Sequence, residues 1–318
     1  MEHIMEALVI GCGVSGLSTA ICLQEAGWRV NIWAAALPPH TTSSVAAAIW
    51  YPYRAYPLDR VTTWGKFTYA MLETFARNPA TGVMMRKNVE VSRTRLPDPW
   101  WRDAVPDLRR CTPADLPPGY IDGLIFTTPV IEMPIYLQYL MDRFTAAGGS
   151  IEVRVVQSLV EATDIYAIVF NCTGLGAHTL LQDAEMHPIR GQIVRVENPG
   201  IEHAWLDEDN PEGVTYIVPR SNDCILGGIA EEGVWDNQPD AEVAAAIVRR
   251  CVALEPRLAE AAILEHKAGL RPGRSAIRLE RENFPNGTSC IHNYGHGGAG
   301  VTLSWGCAVE AVQMVVGR

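Results

Sequence analysis

Two glycine-rich segments at opposite ends of the chain hold the residues best suited to gripping a cofactor. Gly11-Cys12-Gly13-Val14-Ser15-Gly16 has the spacing of a turn that holds a dinucleotide pyrophosphate. Gly11 allows the turn, Gly13 lets backbone approach the phosphates at a helix N-terminus, and Gly16 lets that helix pack against its strand. At the other end, His292-Asn293-Tyr294-Gly295-His296-Gly297-Gly298-Ala299-Gly300-Val301-Thr302 concentrates glycine before an apolar stretch. That pattern describes backbone pressed against a ligand, followed by a helix opening at Thr302. Together the two segments predict a cofactor gripped from both termini.

Arg271 is the best substrate anchor in the chain. It sits in Gly269-Leu270-Arg271-Pro272-Gly273-Arg274, where Gly and Pro fix the backbone and so aim the side chain. A buried guanidinium offers a planar fork that fits a carboxylate through two parallel hydrogen bonds. Arg274 and Arg278 read instead as ordinary solvated charges. His292 and His296 have the spacing of a metal-binding pair, but the glycines between and after them preclude the helix such spacing needs. No metal is expected, and His296 is read as ordering the loop. The eight cysteines show no CxxC pair and no metal-ligand spacing. They read mainly as buried small apolar residues, with one disulfide left open.

The elements that must position these residues follow from the hydrophobic pattern. Ala7 to Ile10 is a short apolar strand, Val14 to Ala26 a helix ended by Gly27, and Arg29 to Trp33 a second strand, which is a βαβ opening. The acidic residue expected at the end of the second strand to hold a ribose is replaced by Ala34-Ala35-Ala36. Next comes a polar loop containing Thr41, Thr42 and Ser43. Small residues then precede aromatics, with Ala46, Ala47, Ala48 and Ile49 leading into Trp50, Tyr51 and Tyr53. Small residues permit close backbone approach and aromatics line pockets. Tyr136 to Ala147 reads as a helix, and Tyr166 to Phe170 as a buried strand running into Asn171-Cys172-Thr173-Gly174. Ligands in α/β sheets sit at such strand ends. Segments 189–196, 214–219 and 224–228 read as antiparallel strands, and Ala241 to Leu254 as an amphipathic helix.

The predicted fold class is therefore α/β. A Rossmann-like cofactor domain (1–48, 135–174 and 266–318) is interleaved with a second α+β substrate domain (49–134 and 175–265) whose sheet is mainly antiparallel. The 318 residues, 48% hydrophobic and 19% charged, can bury a large core. A net charge of -10 with dispersed Arg residues argues against a nucleic-acid partner. No apolar run is expected to reach the roughly 18 residues of a membrane span, and no signal peptide is read at the N-terminus, so a cytoplasmic location is expected.

Seven blocks, in order, resemble the D-amino-acid oxidase family: residues 11–20, Thr41-Thr42 leading to Val45-Ala46-Ala47, Asn171 to Gly174, Arg190-Gly191-Gln192-Ile193, Tyr216-Ile217-Val218-Pro219, Leu270-Arg271-Pro272, and His292 to Gly298. The resemblance runs from residue 7 to about 312. It implies non-covalent FAD, oxidation of a D-amino acid, O2 as electron acceptor, hydrogen peroxide as product, and a homodimer. By this resemblance Arg271 and Tyr216 share the substrate carboxylate, and the Gly298 carbonyl accepts from the amine. The α-hydrogen is then held for transfer as hydride, and no side-chain base is required. The resemblance places FAD against Gly11, Gly13, Val14, Ser15, Gly16, Thr41, Thr42, Ser43, Ala46, Ala47, Ala48, Ile49, Cys172, Thr173, Gly174, Arg271, His296, Gly297, Gly298, Gly300, Val301 and Thr302. The helix N-terminus at Thr302 would stabilise the reduced ring.

The chain departs from the family at several positions. Glu212 stands where mammalian members carry a lid Tyr, and Ala230 where relatives often place an aromatic roof. Ala48 replaces a Gly, Tyr51 replaces a Gln, and Gly317-Arg318 gives no peroxisomal tripeptide. Glycine or sarcosine oxidation and D-aspartate oxidation are the neighbouring readings, the last disfavoured because no extra pocket cation is identifiable. From a different class, the chain could be an NAD-linked dehydrogenase or a non-catalytic flavin-binding protein.

Overall fold

The computed structural model describes residues 5–316, so the C-terminal Gly317-Arg318 lies outside the described residues. The first half runs β1 (Glu6–Ile10), α1 (Val14–Glu25), β2 (Arg29–Ala34), α2 (Leu58–Phe75), β3 (Val83–Ser92), β4 (Arg109–Arg110), β5 (Asp122–Ile131) and α3 (Met133–Ala146). It continues with β6 (Ser150–Val153), α4 (Leu159–Thr163), β7 (Ile168–Asn171) and α5 (Gly176–Leu180). The second half adds β8 (His187–Glu197), β9 (Ala204–Asp207), β10 (Thr215–Pro219), β11 (Asp223–Gly227), β12 (Glu231–Glu232) and α6 (Ala241–Leu254). It closes with β13 (Ile263–Gly273), β14 (Arg278–Asn283), β15 (Ser289–Tyr294) and α7 (Gly300–Val316).

Six strands form one sheet in the order β14-β15-β7-β1-β2-β6. All its pairings are parallel except that of the edge strand β14. The apolar run of β1 is buried on both faces, as a central parallel strand must be. Leu17 and Ile21 of α1, Leu303 and Trp305 of α7, and Tyr136 and Leu140 of α3 close over one side in a single core. The other sheet has nine strands and is antiparallel apart from the β3–β9 pair. Helix α6 covers its outer face, burying Ala244, Ile247, Cys251 and Leu254 against Val89, Val91, Ile217 and Leu226.

Three expectations need correction. Helix α2 lies within a stretch assigned to the second domain, yet Val61, Trp64 and Leu72 belong to the core formed with α1 and α7. Gly306 makes this approach possible, since a Cβ there would fall 2.3 Å from the Trp64 Cα. Strand β13 hydrogen-bonds along β8, so the chain crosses back to the parallel sheet after Gly273 rather than at 266. The segment Gly297–Val316 is, by length and composition, apolar enough to cross a membrane, contrary to the expected absence of such a run. It is mostly buried inside the protein, where it serves as a core helix.

All eight cysteines are free, and all but Cys111 are buried. Arg274 and Arg278 are not free solvated charges. Arg274 pairs with Asp183 and Glu185, and Arg278 with Glu280, Glu282 and the Tyr294 hydroxyl.

Candidate active site

A cavity of about 750 Å3 lies between the two sheets, within the range of small-molecule and cofactor sites. The β1–α1 turn opens onto it through Gly11, Gly13, Val14 and Ser15. Gly11 adopts a φ of 114°, and a Cβ there would fall 2.4 Å from the Cys172 carbonyl oxygen. Gly16 does not line the cavity. A Cβ at Gly16 would fall 2.0 Å from the Gly11 carbonyl oxygen, so this glycine lets α1 seat on its own turn.

Helix α1 has no capping side chain and no acidic residue in its first turn. Its exposed amides and positive end therefore suit an anionic group. One of these amides, that of Val14, donates to Ser43 Oγ at 3.0 Å, which ties the polar loop across the turn. Thr41, Thr42 and Ser43 line the cavity, as do Ala46 to Ile49 and Cys172, Thr173 and Gly174.

The C-terminal run arrives from the opposite side. His296, Gly297, Gly298, Gly300, Val301 and Thr302 all line the cavity. The helix does not open at Thr302: a 3-10 turn over Gly297–Ala299 leads directly into α7 at Gly300. A capping Thr needs extended backbone, but Gly300 is already helical at φ -56° and ψ -40°. The Thr302 hydroxyl instead accepts from the Tyr51 amide at 3.1 Å and donates to the Tyr51 carbonyl at 3.0 Å. It fastens the start of α7 to the aromatic wall. His296 is 4% exposed, and its Nε2 has no protein partner. Burial pushes its imidazole down to about 4, so the ring is neutral near pH 7. His292 is held elsewhere, by Glu282 at 2.9 Å and by the Asn171 amide at 3.3 Å.

At one end of the cavity Ala34, Ala35 and Ala36 are joined by Arg154, Val156 and Gln157, which the sequence reading did not single out. Arg154 follows β6, which pairs with β2, and its guanidinium lies 3.9 Å from the Trp33 ring centroid. A cation–π contact therefore shapes the wall where the ribose-binding acid is missing.

At the other end the antiparallel sheet supplies Tyr216 from β10 and Arg271 from β13. Both side chains run over glycines. A Cβ on Gly227 would fall 2.0 Å from the Tyr216 ring, and one on Gly191 would fall 2.4 Å from Arg271 Nη2. Arg271 Nη1 donates to the Ile229 carbonyl at 3.0 Å, which fixes the guanidinium plane. Surrounding protein pushes the Tyr216 phenol up while the Arg271 charge pulls against it. The net rise keeps the phenol protonated and able to donate. Gly298 stands beside this pair, since a Cβ there would lie 3.7 Å from Arg271 Cδ and 3.0 Å from Tyr53 Cδ1. Tyr53, Asn88, Leu206 and Glu208 also line this end, and sequence reasoning did not identify them as site residues. Tyr53 alone had a signal, its place in the aromatic run after Trp50.

The arrangement fits a dinucleotide with its pyrophosphate at α1 and its reactive ring between α7 and the Tyr216–Arg271 pair. The glycine cradle, the uncapped α1 terminus and the unpaired His296 nitrogen all fit such a group. A family model described as DAO, FAD dependent oxidoreductase, matches residues 6–314. A D-amino-acid oxidase from Rubrobacter xylanophilus is 56% identical over 312 residues, covering 98% of this chain and 96% of the relative. A human D-aspartate oxidase is 36% identical, covering 96% and 93% respectively. Among solved structures, glycine oxidase from Geobacillus kaustophilus shares the fold with a TM-score of 0.82 at 17% identity, covering 99% of this chain and 95% of that one. With cradle, cavity and full-length similarity in agreement, the chain belongs to the DAO family of FAD-dependent oxidoreductases.

Proposed function

We propose that this chain oxidises D-amino acids to imino acids, which water converts to 2-oxo acid and ammonia, with O2 as final acceptor and hydrogen peroxide as product. One observation carries the reading: the Tyr216 phenol and Arg271 guanidinium are brought over a glycine floor to a point beside Gly298. The fork of Arg271 and the phenol of Tyr216 take the substrate carboxylate, and the backbone at Gly298 takes the amine. These two points hold the α-carbon, and the place of the side chain in the cavity is the third contact that sets where the α-hydrogen faces, so the rate comes through positioning. FAD, when bound, supplies the two-electron acceptor for the α-hydrogen. The Rubrobacter relative, a D-amino-acid oxidase 56% identical to this chain, supports the D-amino-acid class. O2, peroxide and a homodimeric state rest on the family resemblance. D-Aspartate is disfavoured, because the Lys and Arg side chains that line the cavity are Arg271, which takes the α-carboxylate, and Arg154, which stands at the other end.

The test is peroxide release by FAD-loaded protein with D-alanine, D-valine, D-aspartate and glycine, alongside the visible spectrum. Flavin bands with turnover of neutral D-amino acids are expected. A bound flavin with no turnover of any D-amino acid would reject the reading in favour of a flavin carrier.

A further inference from the structure

We propose that the cavity contains a second recognition subsite, lined by Asn88, Tyr51 and Glu208 with the buried Glu90 behind them, on the far side of Tyr216 from Arg271. It takes D-amino acids whose side chain ends in an ammonium or guanidinium group. The inference rests on the oxidase reading and concerns only the substrate side chain.

Asn88 lines the cavity at 1% exposure, and neither its Nδ2 nor its Oδ1 has a hydrogen-bond partner. A buried amide unpaired at both ends is costly unless a ligand satisfies it. Glu90 lies two residues along β3 and so on the same face, 8% exposed, with Oε2 unpaired. The Tyr51 phenol, on the cavity wall, is near enough to Glu90 to pull against the rise of its carboxyl. Glu208 lines the cavity with its side chain accessible.

Sheet register places this cluster. Tyr216 stands opposite Leu206, and Leu206 opposite Glu90, so the three form a row on one face. Two inter-strand steps of about 4.8 Å separate Tyr216 from Glu90. Arg271 lies on β13, beyond Tyr216 in the opposite direction across the sheet. A substrate anchored by its carboxylate at Arg271 therefore extends its side chain over Leu206 toward Glu90 and Asn88. Only a long side chain crosses that distance. The apolar stem of a lysine or arginine side chain suits Leu206, and its charged head suits the cluster beyond.

The sign of charge follows from the groups present. Two carboxyls, one amide and one phenol stand against two cations: Arg54, which acts on Glu208 and lies 5.1 Å over the Tyr53 ring, and Arg86, two residues before Asn88 on the same face of β3 with its Nε unpaired. Burial and then the Glu208 charge push the Glu90 carboxyl up to about 7. A cation placed there would pull it back toward ionisation, and an anionic side chain would be repelled.

The experiment measures kcat/KM of FAD-loaded protein for D-lysine, D-arginine, D-glutamine and D-norleucine by peroxide release. D-lysine or D-arginine is expected to exceed D-norleucine by about tenfold, the scale of one charge-assisted contact. Glu208→Gln and Glu90→Gln should each lower the lysine-to-norleucine ratio about fivefold or more. The inference is overturned if D-norleucine or D-glutamine matches the basic substrates, or if the ratio stays the same in both variants. Turnover of D-norleucine without a basic preference overturns this inference and leaves the oxidase reading standing. Turnover of no D-amino acid overturns both.

Discussion

The guanidinium of Arg271 occupies the space that a side chain on Gly191 would fill, with Nη2 only 2.4 Å from where a Cβ would stand. The two residues belong to adjacent paired strands, β13 and β8. Gly191→Ala therefore forces the flexible end of Arg271 to move, since Gly191 is paired with Gly269 of β13 and its neighbour Arg190 with Glu231 of β12. The variant should fold and retain flavin, with kcat/KM falling on the order of 100-fold, as for a misplacement of about 1 Å. Steady-state kinetics with a flavin absorbance ratio check this. Unchanged kcat/KM would mean that Arg271 does not hold the substrate.

Removing the guanidinium is the stronger test of the same anchor. Arg271→Leu should cost roughly 2 to 5 kcal/mol of transition-state binding, as for other desolvated charge pairs, while the flavin spectrum persists. Tyr216→Phe removes one donor and keeps the ring over Gly227 and Gly228, so its cost should be smaller, about 1 to 2 kcal/mol. The order of these two losses separates a charged anchor from a general effect on packing.

What could be read from the sequence was local. The β1–α1 turn shows its glycines as a hexad because strand, turn and helix are contiguous, and α6 shows its buried face through helical periodicity. What could not be read depends on pairing across distance. Asn88 reaches the cavity only because β3 pairs with the distant β9, and Arg154 only because β6 pairs with β2. The start of α7 at Gly300 is hidden for a different reason. Thr302 resembles a capping residue, but its hydroxyl is claimed by the backbone of Tyr51, which lies far away in the chain.

His296 should make stability depend on acid. Burial holds its folded pKa at about 4, below the ordinary histidine value of 6.5, so the unfolded chain binds a proton that the folded chain resists. The folded state therefore keeps full stability above about 6.5 and loses it as pH falls toward about 4, by roughly 3 kcal/mol in all. Thermal melts between pH 7.5 and 4.5 should show His296→Gln losing less stability than the parent over that window. Parallel curves would mean that the imidazole reaches a partner and titrates normally.

Gly16 and Gly13 belong to the same motif but should fail in different ways. At Gly16 an added Cβ would fall 2.0 Å from the Gly11 carbonyl oxygen, and neither backbone can yield without separating α1 from its turn. At Gly13 the nearest neighbour of an added Cβ is the Ser43 hydroxyl at 3.1 Å, a side chain that can rotate away. Gly16→Ala should therefore lower the stability of the flavin-free protein by about 1 to 3 kcal/mol, the usual cost of overpacking. Gly13→Ala should leave that stability nearly unchanged and weaken FAD binding instead, because the methyl group enters the space where the phosphates approach. Denaturant melts of the flavin-free variants, followed by FAD titration through fluorescence quenching, distinguish the two. Equal melting with equal loss of FAD affinity would show that Gly16, like Gly13, acts on the cofactor directly.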